Sequence, residues 1–272
     1  MASGNPAFSR NPAFNGKGAR TTTEPVSLDQ LNDLYSAPTA GSRETGRMTY
    51  DDTIRKTLLM FVILLAAAGV SWFVPALTFP GAIAAFVLGL VNAFKRRPSV
   101  PLILAFAVAE GFFVGGLSST FEQIWPGTVT QALVATGVTF AVVLALFASG
   151  KVRATPRATK IFLVAMIAYA VFSLINIGLM IFGGSAASGA FGLNSADIHI
   201  MGLSIPLGVL IGLLVVVMAS YSLVLDFEFI KRGVESRQDR SFGWYAAYGL
   251  VSTIVWLYVE FLRIFALLSS NR

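Results

Sequence analysis

From Thr57 onward the chain is a series of long, nearly unbroken apolar runs separated by short polar connections. Most are close to the roughly 20 residues that a helix needs to cross a hydrocarbon core about 30 Å thick. Seven runs predict seven transmembrane helices: Thr57 to Val74, Pro80 to Phe94, Val100 to Thr120, Val129 to Ser149, Ile161 to Phe182, Leu203 to Leu225, and Phe242 to Leu268. The second rises only about 22 Å at 1.5 Å per residue. At its end Lys95, Arg96 and Arg97 can snorkel to the interface, or neighbouring helices can shelter it. The expected fold class is an all-α membrane protein.

Composition agrees with this pattern. Of 272 residues, 55% are hydrophobic and 12% charged, against roughly 25% charged in a soluble domain. Lysine and arginine then set the orientation. They cluster before the first run, at Lys95 to Arg97, between Lys151 and Lys160, and between Lys231 and Arg240, while the alternate connections carry none. By the positive-inside rule the N-terminus is expected in the cytoplasm and the C-terminus outside. The net charge of +6 is therefore topological: it points to anionic lipid headgroups and not to nucleic acid. Absence of cysteine excludes disulfides, thiolate metal sites and cysteine nucleophiles.

Met1 to Asp52 has a different character, rich in Gly, Pro, Ser, Thr and Asn with few large apolar residues, and is expected to be a disordered cytoplasmic tail. It repeats Asn5-Pro6-Ala7-Phe8 as Asn11-Pro12-Ala13-Phe14, either a docking motif for a partner or two turns in a flexible segment. No apolar segment precedes Thr57, so no cleavable signal peptide is expected. Gly183 to Gly202 reads as an external loop carrying Asp197 and the single histidine, His199, which is either a sensor of external acidity or simply solvated. Gly111 with Gly115, and Gly208 with Gly212, are small-xxx-small pairs that let membrane helices approach closely.

Three carboxylates interrupt or border the apolar runs: Glu110, Asp226 and Glu260. A carboxylate in hydrocarbon is costly, so it faces a cavity, finds a partner or takes up a proton. Glu110 lies about 15 Å from Val100, near the midplane, and its neighbours one turn away are Phe106, Ala107, Phe113 and Val114. It is either a protonated bridge between helices or a pathway group. Asp226 is placed at the cytoplasmic end of the sixth span, where it opposes the helix dipole unless a cation such as Arg96 answers it. Glu260 and Arg263 share a helix face three residues apart. Glu260 lies about 27 Å from Phe242, in the outer half.

In its order of features the chain from Thr57 onward resembles the transmembrane Bax-inhibitor motif family, in its bacterial branch. The resemblance rests on Tyr221-Ser222-Leu223-Val224-Leu225-Asp226 at the end of the sixth helix, on Leu257-Tyr258-Val259-Glu260 with Leu262-Arg263-Ile264-Phe265 and Leu268-Ser269-Ser270 in the last, and on Glu110-Gly111 with Gly115 in the third. It implies a seven-helix fold with the last helix central, and a pH-sensitive calcium leak. In the family an acidic residue of the sixth helix and one of the seventh share a proton, and a basic residue at the end of the second helix latches the cytoplasmic side. Carried over, Asp226 is the first acid and Arg96 or Arg97 the latch. The second acid falls on Thr253 if the last helix aligns without a gap, and on Glu260 if a gap of two turns is allowed.

The expected function is a pH-sensitive calcium leak channel of the plasma membrane. Asp226, Glu260, Arg96 and Arg97 act at the gate, Glu110 and Glu260 offer hard oxygen ligands along the pathway, Ca²⁺ is the permeant ion, and no cofactor is required. The rival expectation is a membrane-embedded regulator that binds and restrains another membrane protein such as a protease. A proton-coupled transporter fits less well without broken helices, and no His-Glu-x-x-His, Gly-x-Ser-x-Gly or phosphate loop marks an enzyme.

Overall fold

The computed structural model of the protein describes residues 46–182, 191–200 and 203–270, with the side chains of 197–205 left undescribed. The Asn-Pro-Ala-Phe repeat and the side chains of Asp197 and His199 therefore fall outside the described residues. Seven helices among them are long and apolar enough to cross a membrane: α1 (Tyr50–Phe73), α2 (Thr78–Phe94), α3 (Val100–Ile124), α4 (Thr128–Ala148), α5 (Pro156–Phe182), α6 (Leu207–Glu235) and α7 (Phe242–Ser270).

Local chemistry sets where several of them begin. The Thr49 hydroxyl caps α1 by accepting the Asp52 N–H at 3.3 Å, and Asp51 and Asp52 place negative charge in its first turn. Val74 ends α1, and a 3₁₀ turn at Pro75–Leu77 leads directly into α2. This turn resolves the short second span, since Pro75–Phe94 together give 20 helical residues, about the length needed to cross. The Glu122 carboxylate accepts the N–H groups of Gly127 and Val129, at 2.8 and 3.2 Å. That acid thus neutralises the start of α4 and takes no part in the core.

Helix α7 is central: it packs on α1, α3, α4 and α6 and is buried over most of its length. Helix α5 is peripheral, with Asn176 its sole buried residue; Asn176 holds the following turn by bonding Phe191 O at 3.1 Å and Leu193 N–H at 2.7 Å. The segment read as a loop ends in a strand, β1 (Asp197–Ile200), which pairs antiparallel with β2 (Leu203–Pro206); the first four residues read as the sixth span are thus strand, and α6 starts at Leu207.

The two glycine pairs play different parts. A Cβ on Gly111 would lie 2.4 Å from Leu64 O, and one on Gly115 2.1 Å from Ala68 O, so α3 meets the backbone of α1 directly. Gly208 and Gly212 instead receive side chains of α7, chiefly Leu267 and Ile264. Tyrosines on α7 tie down the last turns of α2: Tyr248 donates to Gly89 O at 3.0 Å, and the Tyr245 hydroxyl lies 3.1 Å from both Asn92 O and Ala93 O, near the helix end where carbonyls lack intrahelical partners.

All the basic connections meet at one end of the bundle, called here the basic end. Chain order alone hides its main fastening. The Asp52 carboxylate is paired with Lys56 on its own helix and accepts from Arg240 Nε and Nη2 at 2.9 and 2.7 Å, while Lys56 Nζ donates to Arg240 O at 2.6 Å. Both Asp52 and Lys56 are buried. Met48 is also buried, and its N–H bonds Gln238 O at 2.8 Å. The packing of the bundle thus includes residues several positions before Thr57.

Candidate functional site: carboxylates around the last helix

Helix α6 does not end at Asp226 but runs nine residues farther, to Glu235. Asp226 is therefore more than two turns from the helix C-terminus, where the dipole no longer acts on it, and the end-of-helix placement read from the sequence is corrected. The reason is that the polar segment after Asp226 continues the helix: Glu228 with Arg232, and Lys231 with Glu235, pair at i,i+4 spacing.

The Asp226 carboxyl faces α7 at Gly249 and Thr253. Its Oδ1 lies 3.0 Å from where a Cβ on Gly249 would stand, and Thr253 is the side chain placed to hydrogen-bond it. Thr253 is buried, and its hydroxyl is also 3.3 Å from Ser222 Oγ. The second carboxyl oxygen, Oδ2, is buried with no hydrogen-bond partner among the described residues. Of the two alignments of the last helix, the ungapped one thus describes the contact: the residue opposite Asp226 is Thr253.

Glu260 lies seven residues beyond Thr253, about 11 Å along α7, and is not part of that contact. It is 3% exposed. Arg263 forms a close ion pair with Oε1, and Tyr169 OH on α5 donates to Oε2 at 3.4 Å. Gly212 on α6 leaves the space that Oε1 fills, since a Cβ there would lie 3.1 Å away. The i,i+3 pairing read from the sequence is present, and Tyr169 adds a tie to the peripheral helix that spacing alone did not reveal. Glu260 is removed from a gate formed with Asp226 because its charge is already answered.

Arg96 and Arg97 do not latch Asp226 in this conformation. Both are exposed, and among the described residues neither forms an ion pair. The nearby acid for Arg97 is Asp239, in the connection before α7. The Ser241 hydroxyl and then the Ser241 N–H hold the Asp239 carboxyl below the usual carboxylate range, with Lys56 and Arg97 adding attraction. The latch expected from the resemblance fails on depth: Asp226 sits inside the bundle, whereas Arg96 and Arg97 end a helix that stops at Phe94.

Glu110 is half-buried and lines an open groove of about 460 Å³ between α2, α3 and α7, with Phe106, Gly89, Tyr248 and Ser252 in its walls. It has no ion-pair partner among the described residues. Tyr248 and Ser252 precede Gly249 and Thr253 by one residue. Glu110 and Asp226 therefore stand at one level of the bundle against different faces of α7, a relation that counting from the span ends obscured.

Among the described residues no group of three or more His, Asp or Glu side chains could hold a metal ion. The carboxylates are separate: one bound in an ion pair, two without a cation. Among curated proteins none matches the chain. The family model described as Bax inhibitor 1 like matches residues 5–270, tail included, and the chain belongs to this family.

Proposed function

We propose that the protein is a pH-sensitive calcium leak of the plasma membrane, with the N-terminus in the cytoplasm and Asp226 as its proton-responsive group. The observation that carries this reading is the buried, unpartnered Oδ2 of Asp226 in the seam between α6 and α7. A charge there has no cation to answer it, and an unpaired charge in such a seam is expensive. Gaining or losing one proton therefore changes the energy of closing α6 onto α7.

The sign follows from that geometry. With the proton on, Asp226 is neutral and the seam closes against Gly249 and Thr253. As pH rises and the proton leaves, the charge favours separation of the helices and entry of water. Leak thus increases with pH. Glu110, at the same level and likewise without a cation, supplies a second oxygen ligand for a hard cation. Glu260 with Arg263 holds α5, α6 and α7 together nearer the other end. No catalytic residue and no cofactor enters this reading.

The test is calcium flux into sealed liposomes containing the pure protein, measured across roughly pH 5 to 8. Wild-type flux should rise with pH, Asp226→Asn should be low and flat, and Glu260→Gln should keep the wild-type profile. Thr253→Asp would set a second carboxylate opposite Asp226; the two would share a proton and titrate as a pair, carrying the rise about one pH unit or more higher. An unaltered profile in Asp226→Asn removes Asp226 from the mechanism. Absence of flux from the pure protein rejects the leak and favours a regulator that acts by binding another membrane protein.

A further inference from the structure

Helices α1 and α4 both pack on α7, and at the basic end they leave a cleft of about 690 Å³ between them. One wall is formed from Tyr50 to Phe61 on α1, the other from Thr136 to Ala148 on α4, and Phe227 and Leu250 contribute to the lining. The cleft opens sideways into the surrounding lipid, for Ile54, Leu58 and Leu144 on its rim are exposed. Its threonine hydroxyls are turned away: Thr53, Thr57 and Thr136 each donate to the backbone carbonyl one turn back, at 2.9, 2.9 and 2.7 Å. What remains is a hydrocarbon surface.

Depth and charge identify the occupant. From Ala148 back to Thr136 the cleft extends about 18 Å along α4, close to half of a hydrocarbon core about 30 Å thick, so it has the depth of one leaflet. Beside its basic end stands a cation. The Arg153 guanidinium carbon lies 4.4 Å from the centre of the Phe147 ring, and Phe147 lines the cleft. Arg153 is exposed and, among the described residues, no carboxylate pairs with it. The stacking on Phe147 keeps the cation at the rim.

We propose that this cleft is a binding site for an anionic phospholipid of the leaflet at the basic end, with one acyl chain between α1 and α4 and the phosphate on Arg153. An apolar trough one leaflet deep fits an acyl chain in length and chemistry, and a guanidinium at its polar end fits a phosphodiester, which it can engage with two parallel hydrogen bonds. The inference is independent of any calcium leak.

Gly137 lines the cleft, and a Cβ added there meets nothing within 4 Å, so Gly137→Leu fills the trough without disturbing backbone. Gly178, on peripheral α5, is equally open and lies outside the cleft, so Gly178→Leu is the matched control. The full chain, purified in detergent and supplied with phosphatidylglycerol or phosphatidylcholine, is examined by native mass spectrometry for retained lipid. Wild type and Gly178→Leu should retain phosphatidylglycerol over phosphatidylcholine by about five-fold, the worth of one cation near an anionic headgroup. Gly137→Leu should lower retention of both lipids about ten-fold, because about two methylenes lose their place. Arg153→Ala should abolish the preference, lowering phosphatidylglycerol retention more than that of phosphatidylcholine, whose phosphodiester charge is already offset by its own ammonium. Wild-type retention in Gly137→Leu, or an intact preference in Arg153→Ala, overturns the proposal, and thermal unfolding of each variant confirms that the fold is retained.

Discussion

Gly115→Val should leave almost no folded protein after extraction from the membrane. Already the first carbon of any side chain at 115 would stand 2.1 Å from Ala68 O and 2.6 Å from Ala68 Cα. Those are backbone atoms in the middle of α1, so no rotamer change relieves the overlap and the two helices must separate. In lipid, close contact is what joins such helices, because apolar surface gains nothing by leaving hydrocarbon for protein. Losing the α1–α3 contact should cost at least about 4 kcal/mol, in the range reserved for disrupted cores. Gly212→Ala meets the Ile264 side chain at 2.5 Å, which can shift, and should cost about 1 to 3 kcal/mol. Gly69→Val, with nothing within 4 Å of its Cβ, should be close to neutral. Thermal unfolding followed by size-exclusion chromatography ranks the three. Gly115→Val unfolding at the same temperature as Gly69→Val would mean that α1 and α3 are not in backbone contact.

The contrast among these glycines shows what the sequence could and could not convey. Spacing alone marks Gly111 and Gly115 as a close-packing pair, and the structure bears that out, but Gly208 and Gly212 have the same spacing and meet α7 only through its side chains. The number of spans was legible because lipid leaves the backbone so few options that apolar length becomes helix. Helix ends were less legible: outside the hydrocarbon a polar segment can continue as helix, as α6 does past Asp226 and α1 does before Thr57. That error misplaced Asp226 toward the surface and linked it to Arg96. Pairs one turn apart, such as Glu260 with Arg263, were readable from spacing. Contacts such as Asp226 with Thr253 were only one of two open alignments, and nothing local in the sequence tells Asp52 and Lys56 that Arg240 completes their cluster.

That cluster supports the other large effect. Asp52 answers two cations at once, and Lys56 is buried among Arg240 O, the Trp244 ring 5.5 Å away and the backbone at Gly243. Asp52→Ala removes the only carboxylate paired with Lys56 among the described residues and leaves its ammonium buried without a counter-charge. Breaking a buried pair from one side costs about 3 to 5 kcal/mol, and here the loss falls where α1 is fastened to the connection between α6 and α7. Replacing both members with apolar side chains, Asp52→Leu with Lys56→Met, should be milder because no buried charge is left unanswered. Arg240→Gln should cost less than Asp52→Ala as well: Arg240 is 36% exposed at its side chain, so water can substitute for part of what it loses. The expected order of stability is therefore wild type, then the double replacement and Arg240→Gln, then Asp52→Ala. It would be read from thermal unfolding in one detergent. A double replacement less stable than Asp52→Ala would show that the ion pair itself, and not the avoidance of an unpaired buried lysine, holds this end of the bundle closed. In either case the loss should fall on the fold before it falls on any pH response, because these charges lie on α1 and the α6–α7 connection, whereas Asp226 faces α7 at Gly249 and Thr253.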